Sequence, residues 1–163
     1  MNECGNRTLV IGWGNELRSD DGAGRVASRA LAGLGLPSVK VLDVHQLTPE
    51  LAEYIKDADR VFFIDACPAA ECTGVYLRAL QDRRDDAWVR PSASGHAGSP
   101  RELLRFTEEL FGARPEAWLV AVPAHSFDIG EGLTPETRRA VEQAVEQVQI
   151  LMQHTEGASH ECA

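Results

Sequence analysis

Short apolar runs alternate with amphipathic stretches along most of the chain, and this alternation restricts the fold more than any other feature. Residues 8–13, 39–44 and 60–65 are predicted strands. The third contains Val61-Phe62-Phe63-Ile64, an unbroken apolar run typical of a strand buried on both faces. Strands that alternate with helices predict a mostly parallel sheet covered by helices on both sides. The predicted fold class is α/β, a three-layer α/β/α sandwich.

Helical patterns fill the intervals between the strands. Residues 22–34 repeat apolar side chains at the spacing of one helical face, and a threonine followed by proline starts a short helix at residues 49–55. A third helix is predicted at residues 101–111, and Thr134 caps a fourth that runs to about residue 154. In the third helix, the side chains expected to face the core are Leu103, Leu104, Thr107, Leu110 and Phe111.

One predicted strand, residues 74–80, breaks the alternation. Only eight residues, 66–73, separate it from the third strand. Parallel neighbours need a connection of a dozen residues or more, so this strand is predicted to be antiparallel. A long loop, residues 81–99, follows it and carries His96, and loops of this length are often functional. Residues 117–122 complete a five-stranded, mostly parallel twisted sheet with one antiparallel strand.

Composition excludes several classes of protein. The 163 residues fit one domain, which we assign to residues 1–154, with a flexible C-terminal tail at 155–163. A net charge of −9 argues against nucleic-acid binding. No apolar run approaches the roughly 20 residues of a membrane span, and the N-terminus lacks an apolar signal segment. We therefore expect a cytoplasmic protein without membrane or nucleic-acid partners, and we expect a monomer.

Three polar residues fall where an open α/β sheet places its sites, beyond the carboxyl ends of the strands. Asp21 follows the first strand, Asp65 ends the third, and His96 lies in the long loop. Carboxylate and imidazole bind divalent metals without thiolate help, and a helix start favours an ionised Asp21. Each residue has another interpretation: Asp20 or Asp21 as a helix cap, Asp65 as an acceptor at a strand end, and His96 as a polar loop residue. The residues alone leave both interpretations open.

The first turn also invites comparison with a dinucleotide loop. Gly12-Trp13-Gly14 matches the first half of that pattern, but Leu17 occupies the third glycine position, so the fingerprint fails. A nucleotide- or flavin-binding module on the same sheet remains the alternative to an enzyme. The cysteines form no CxxC pair and predict neither a disulfide framework nor a redox centre.

Four motifs together resemble the hydrogenase maturation endopeptidases, the family that processes the large subunit of nickel-iron hydrogenases. They are G-x-G-N-x-L-x-x-D-[DE]-x-x-G at residues 12–24, Asp65-Ala66 after an apolar strand, His96 after a variable segment, and Gly132-Leu133-Thr134-Pro135 before the last helix. They occur in the family's order along nearly the whole chain.

The resemblance implies that Asp21, Asp65 and His96 contact the metal and carry the catalysis. It implies an endopeptidase that removes the C-terminal extension of the large-subunit precursor once nickel has been inserted. Nickel is then carried by the substrate and recognised there, and no permanent cofactor is required. Metal-assisted hydrolysis and an aspartic dyad of Asp21 and Asp65 both stay open as chemistry. A non-enzymatic nickel chaperone, which cleaves nothing, is a further alternative.

One segment departs from a common family pattern. Many members carry D-G-G-T after the second strand, whereas this chain has Asp43-Val44-His45-Gln46-Leu47. His-Gln-Leu resembles the members that serve bidirectional, NAD-linked hydrogenases. We therefore predict that His45, Gln46 and Leu47 select the precursor of such an enzyme. The glycines of the first turn, Gly12 and Gly14, are interpreted as room for this protein substrate.

Overall fold

The computed structural model describes residues 6–80 and 98–156, which form five strands and four α-helices. The strands are β1 (Thr8–Trp13), β2 (Val39–Val44), β3 (Arg60–Pro68), β4 (Tyr76–Ala79) and β5 (Glu116–Ala124). The helices are α1 (Ala23–Gly33), α2 (Ala52–Ile55), α3 (Pro100–Phe111) and α4 (Pro135–Glu156). In this part of the chain, no helix combines the length and apolarity needed to cross a membrane.

The strands form one sheet in the order β2–β1–β3–β5–β4. Strands β2, β1, β3 and β5 run parallel, and β4 pairs antiparallel with β5. The predicted fold class and the antiparallel fourth strand are therefore confirmed. After β1 the chain moves outward to β2, then crosses back to β3 on the other side of β1. The strand order thus reverses between β1 and β3, and such a switch point opens a crevice at the carboxyl ends of the strands.

Side chains on the two faces of the sheet build two separate cores, since successive strand residues point to opposite faces. On β3, Phe62 and Ile64 pack with α1 and α4, whereas Val61 and Phe63 pack with α2 and α3. All four side chains are fully buried. The three-layer arrangement follows from the unbroken apolar run that the sequence displays at this strand.

Two strands are longer than predicted. β3 continues past Asp65 to Pro68, and β5 continues to Ala124, so the two strands stay paired to their ends. The prediction that Asp65 ends the third strand is therefore wrong. Aspartate and proline are typical of strand ends, but here the neighbouring Ala66 and Cys67 are buried and keep the strand in the sheet. β4 is shorter than predicted and covers only Tyr76–Ala79.

The helices begin and end close to the predicted positions. α1 is preceded by a 3₁₀ turn, Ser19–Gly22, and α2 by another, Pro49–Leu51. Thr48 stands at the predicted cap position but makes no side-chain cap hydrogen bond. Residues 81–97 of the predicted loop, with His96, and residues 157–163 of the predicted tail lie outside the described residues.

One face of α4 is buried against the sheet and α1, through Ala140, Val141, Ala144, Val148 and Met152. Part of the predicted inner face of α3 is wrong. Leu103 and Thr107 are buried, but Leu110 and Phe111 are 58% and 39% exposed. No side chain in the last turn of α3 is buried, and the Phe111 ring instead packs under the Lys56 ammonium group, 4.7 Å from the ring centroid.

Candidate functional site

Asp21 and Asp65 lie at the same edge of the sheet, at the switch point between β1 and β3. Gly24 shows how closely the start of α1 rests on this edge. A Cβ placed on Gly24 would lie 2.3 Å from the Ile64 carbonyl oxygen and 2.7 Å from that of Trp13. Asp21 precedes Gly24 by three residues and Asp65 follows Ile64 directly. His96, the third predicted site residue, lies outside the described residues.

Asp65 lies where β3 projects beyond β1. The register of these two strands ends at Gly12 opposite Ile64, and from Asp65 onward β3 pairs with β5. Strand alternation puts Asp65 on the same face as Phe63, which is the face covered by α2 and α3. Asp65 is partly buried. It therefore borders the crevice from the side of the sheet that lies opposite α1.

Asp21 belongs to the 3₁₀ turn and is held by the turn itself. Its Oδ2 accepts a hydrogen bond of 2.9 Å from the Asn15 backbone N–H, and its own N–H donates to the Arg18 carbonyl at 3.2 Å. It makes no cap hydrogen bond to α1, whose N-cap residue is Gly22. The partly exposed carboxylate lies just before the helix, where the helix dipole favours negative charge.

The glycines of the first turn bring α1 close to β1. A Cβ on Gly12 would lie 2.1 Å from the Gly24 carbonyl oxygen, and a Cβ on Gly14, whose φ is +142°, would lie 1.9 Å from the Asp21 carbonyl oxygen. The interpretation of these glycines as room for a protein substrate is therefore wrong. The chain itself fills the space in which a side chain at either position would lie.

Asp20, for which the sequence suggested no role other than a helix cap, is fully buried. Its carboxylate accepts from five donors in the loop after β5 and at the start of α4: the N–H groups of His125, Ser126 and Thr134, and the hydroxyls of Thr134 and Thr137. Burial raises the pKa of Asp20, but these hydrogen bonds outweigh burial and hold its pKa below the usual value. Asp20 therefore does not cap α1; it ties the first turn to the start of α4, where the Thr134 hydroxyl accepts the Thr137 N–H at 3.4 Å as the helix cap.

Two acids and two arginines join the first turn to β2. Arg25 and Arg29 on α1 each contact both Glu16 and Asp43, with Arg29 Nη1 2.7 Å from Asp43 Oδ2 and Arg25 Nη1 3.2 Å from Glu16 Oε2. The hydrogen bond from Arg29 lowers the pKa of Glu16. Glu16 is thus occupied by arginines, and its carboxylate stabilises the turn rather than facing a metal.

The predicted selector segment, His45-Gln46-Leu47, follows β2 at the same edge of the sheet. His45 and Gln46 are exposed, whereas Leu47 is only 2% exposed and packs in the core against α2 and α3. Gln46 and Leu47 also line a cavity of about 450 Å³, which lies between this segment and α3. The described chain resumes at Gly98, two residues after His96, and Gly98 lines the same cavity.

Metal-binding capacity within residues 6–80 and 98–156 is limited. These residues contain no cluster of three His, Cys, Asp or Glu side chains suited to hold a metal ion. Cys67 and Cys72 are free and buried, and neither belongs to such a cluster. The described residues by themselves therefore form no three-ligand metal site.

Solved structures share this fold over almost their whole length. The [NiFe] hydrogenase maturation protease HybD from Thermococcus kodakarensis is 27% identical, with a TM-score of 0.70, and the match covers 90% of this chain and 99% of that one. An endopeptidase from Escherichia coli is 28% identical, with a TM-score of 0.73 and coverage of 91% and 93%. The hydrogenase maturating endopeptidase HybD from Escherichia coli, 24% identical with a TM-score of 0.71 and the same coverage, agrees in fold. The sequence matches no protein-family model and no curated protein.

Proposed function

We propose that this protein is an endopeptidase that removes the C-terminal extension of a nickel-iron hydrogenase large-subunit precursor after nickel insertion. One observation carries the proposal: Asp21 and Asp65 both border the switch point of a fold shared over 90% of the chain with a hydrogenase maturation protease. The switch point of an open α/β sheet is where such folds bind their ligands.

In this proposal Asp21, Asp65 and His96 contact the nickel that the precursor carries. Imidazole is a favoured ligand of nickel, and carboxylates supply negative charge that offsets the cation. The site needs no metal of its own, because the substrate delivers the ion.

Anchoring the nickel places the scissile peptide bond beside the carboxylates, and this proximity supplies much of the rate. Water attacks the carbonyl carbon, the C–N bond breaks, and the departing amine takes up a proton. A carboxylate of the site accepts the proton of the attacking water as general base. Nickel polarisation of the carbonyl and an aspartic dyad of Asp21 and Asp65 are the two forms of assistance compatible with these residues.

The test compares nickel-loaded with nickel-free precursor, with the mass of the large subunit as readout. The expected result is loss of the extension from the nickel-loaded precursor alone. Asp21→Ala and Asp65→Ala should each lower the cleavage rate about a hundredfold or more, because each removes a group that contacts the reacting centre. Asp57→Ala is the matched control, since Asp57 is an exposed aspartate just before β3, at the opposite edge of the sheet. Unchanged cleavage by Asp21→Ala or Asp65→Ala contradicts the site.

The same assay separates the alternatives. A nickel chaperone would bind the metal and leave the precursor mass unchanged. A nucleotide- or flavin-binding module would be stabilised against heat by its ligand and would also cleave nothing. The broken glycine fingerprint, with Leu17 at the third glycine position, speaks against that module.

We further propose that His45 and Gln46 select the precursor of a bidirectional, NAD-linked hydrogenase. Both side chains are exposed at the candidate edge, and Gln46 borders the cavity beside α3. Leu47 contributes by holding the segment in the core. Changing His45 and Gln46 to glycine while keeping Leu47 should lower kcat/KM for that precursor about tenfold or more, by loss of direct contacts.

The control for this variant is its thermal unfolding midpoint, which should stay near that of the wild type because both side chains are exposed. If the double variant processes the NAD-linked precursor at the wild-type rate, the segment is not the selector. Substituting Leu47 as well would confuse the result, because loss of a core leucine destabilises the fold by itself.

A further inference from the structure

The Gly132-Leu133-Thr134-Pro135 motif has no part in the proposed chemistry, yet the structure connects it directly to the candidate site. Thr134 donates its N–H to Asp20 Oδ1 at 2.7 Å and its hydroxyl to Asp20 Oδ2 at 2.8 Å. Thr137, one turn into α4, lies with its hydroxyl 2.8 Å from the same Oδ2. The N–H groups of His125 and Ser126 complete the set, each at 2.9 Å.

Backbone contacts reinforce this connection on both sides of Asp20. The Ser19 N–H donates to the Gly130 carbonyl at 2.8 Å, and the Gly130 N–H donates to the Leu17 carbonyl at 2.9 Å. The Asp20 N–H donates to the Ser126 carbonyl at 3.1 Å. The 3₁₀ turn is therefore joined to the segment between β5 and α4 by a short parallel bridge and by the buried carboxylate.

Asp21 is the next residue after this anchor, and it has few other restraints. Its carboxylate accepts one hydrogen bond, from Asn15 N–H, within the same turn. A movement of Asp20 would therefore carry Asp21 and Asn15 with it. Because a displacement of about 1 Å at a reacting centre can cost a hundredfold in rate, the anchoring of this turn matters for chemistry.

We infer that Asp20 is a positioning residue, which fixes the Asp21 carboxylate at the switch point by tying its turn to the Thr134 cap of α4. The effect on precursor cleavage rests on the proposed function, because it requires that Asp21 contacts the precursor. The geometric part, that the hydrogen bonds of Thr134 and Thr137 determine where Asp21 lies, stands on the contacts alone. It gives the fourth sequence motif a purpose that the catalytic residues do not explain.

The test uses Thr137→Val, which keeps the shape of the side chain and removes the hydroxyl beside Asp20. Thr107→Val is the matched control: Thr107 is also fully buried and helical, and its hydroxyl donates to the Leu103 carbonyl at 2.8 Å. The first readout is the amide NMR resonance of Asn15, which reports the hydrogen bond to Asp21. The second is kcat/KM for nickel-loaded precursor, and thermal unfolding is followed for both variants.

Thr137→Val is expected to shift the Asn15 amide resonance and to lower kcat/KM about tenfold. Thr107→Val should leave the Asn15 resonance and kcat/KM unchanged, although its thermal stability should fall about as much as that of Thr137→Val. Asp20→Asn keeps one acceptor oxygen but loses the other. In the folded variant, kcat/KM should be lower than in Thr137→Val. An Asn15 resonance that stays in place in Thr137→Val overturns the inference, as does an equal loss of activity in Thr107→Val. Failure of the wild type to process the precursor would overturn the proposed function instead, because the Asn15 readout needs no substrate.

Discussion

At the scale of single residues, the adjacent aspartates Asp20 and Asp21 have opposite environments. Asp20 is fully buried and saturated by five donors, whereas Asp21 is partly exposed and accepts one described hydrogen bond. A buried carboxylate is tolerated only when hydrogen bonds replace its lost hydration, and Asp20 meets that condition. Asp21 therefore keeps free acceptor capacity, and it is the aspartate that we propose contacts the nickel of the precursor.

The glycines of α1 give a residue-scale prediction about packing. Gly24→Ala should lower the free energy of unfolding by about 1–3 kcal/mol, because its Cβ would meet the Ile64 and Trp13 carbonyl oxygens of the sheet. Gly33→Ala, in the same helix with no atom within 4 Å of a new Cβ, should raise the free energy of unfolding by about 0.5–1 kcal/mol. Urea unfolding measures both. Equal effects of the two variants would contradict the close packing of α1 on β1 and β3.

At the scale of elements, the extension of β3 beyond β1 shapes the candidate site. β1 ends at Trp13, and the chain turns into the 3₁₀ turn and α1, while β3 and β5 continue as a pair to Pro68 and Ala124. This difference in strand length leaves a step at the edge of the sheet. Asp65 is the first residue of β3 beyond its pairing with β1. The turn that carries Asp21 lies on the α1 side of the sheet, opposite the face on which Asp65 stands.

The start of α3 gives a prediction at this scale. The Ser99 hydroxyl accepts from the Glu102 N–H at 3.2 Å, and the Glu102 carboxylate accepts from the Ser99 N–H at 2.9 Å, which is a complete capping box. Ser99→Ala should therefore lower the free energy of unfolding by about 1 kcal/mol. Thr48→Ala should cost less, because Thr48 stands at a cap position without a side-chain cap hydrogen bond. Chemical denaturation of both variants checks this, and a larger loss for Thr48→Ala would contradict it.

At the scale of the whole molecule, the net charge is −9, and several arginines form ion pairs with aspartates. Burial raises the pKa of Asp43, but hydrogen bonds from Arg25 and Arg29 outweigh it and lower that pKa below its ordinary value. The pKa of Asp59 is lowered in the same way, by Arg7 against the effect of burial. Asp43 lies near the carboxyl end of β2, and Asp59 lies just before the amino end of β3. Both carboxylates therefore bind protons less readily in the folded state than in the unfolded chain.

These lowered pKa values predict acid sensitivity. The stabilisation is present above the ordinary carboxyl pKa values and is lost as pH falls through the lower values of the folded state. The urea midpoint should therefore change little between about pH 7 and 5 and then fall as pH drops below the ordinary aspartate pKa of about 4. Asp43→Asn should show a shallower fall, with a difference on the order of 1 kcal/mol, because one linked group is gone. An identical slope in the variant would contradict the contribution of Asp43.

The sequence by itself predicted the class of fold, the antiparallel direction of the fourth strand and the approximate positions of the helices. Apolar periodicity and connection length are local properties, and the number of residues between β3 and β4 already excludes a parallel crossover. The sequence also marked Asp21 and Asp65, since residues that follow apolar strands fall at the edge where sites form. It could not distinguish Asp20 from Asp21, because both are aspartates at a helix start.

Only the tertiary structure decided which of the two is buried, because the five donors to Asp20 come from residues more than a hundred positions away in the chain. The same holds for Gly12 and Gly14, whose sequence pattern suggested open space that Gly24 and Asp21 in fact fill. It also holds for Leu47, which looked like part of a selector and lies in the core. Periodicity is written into neighbouring residues, whereas burial and long-range hydrogen bonds exist only once the chain has brought distant segments together.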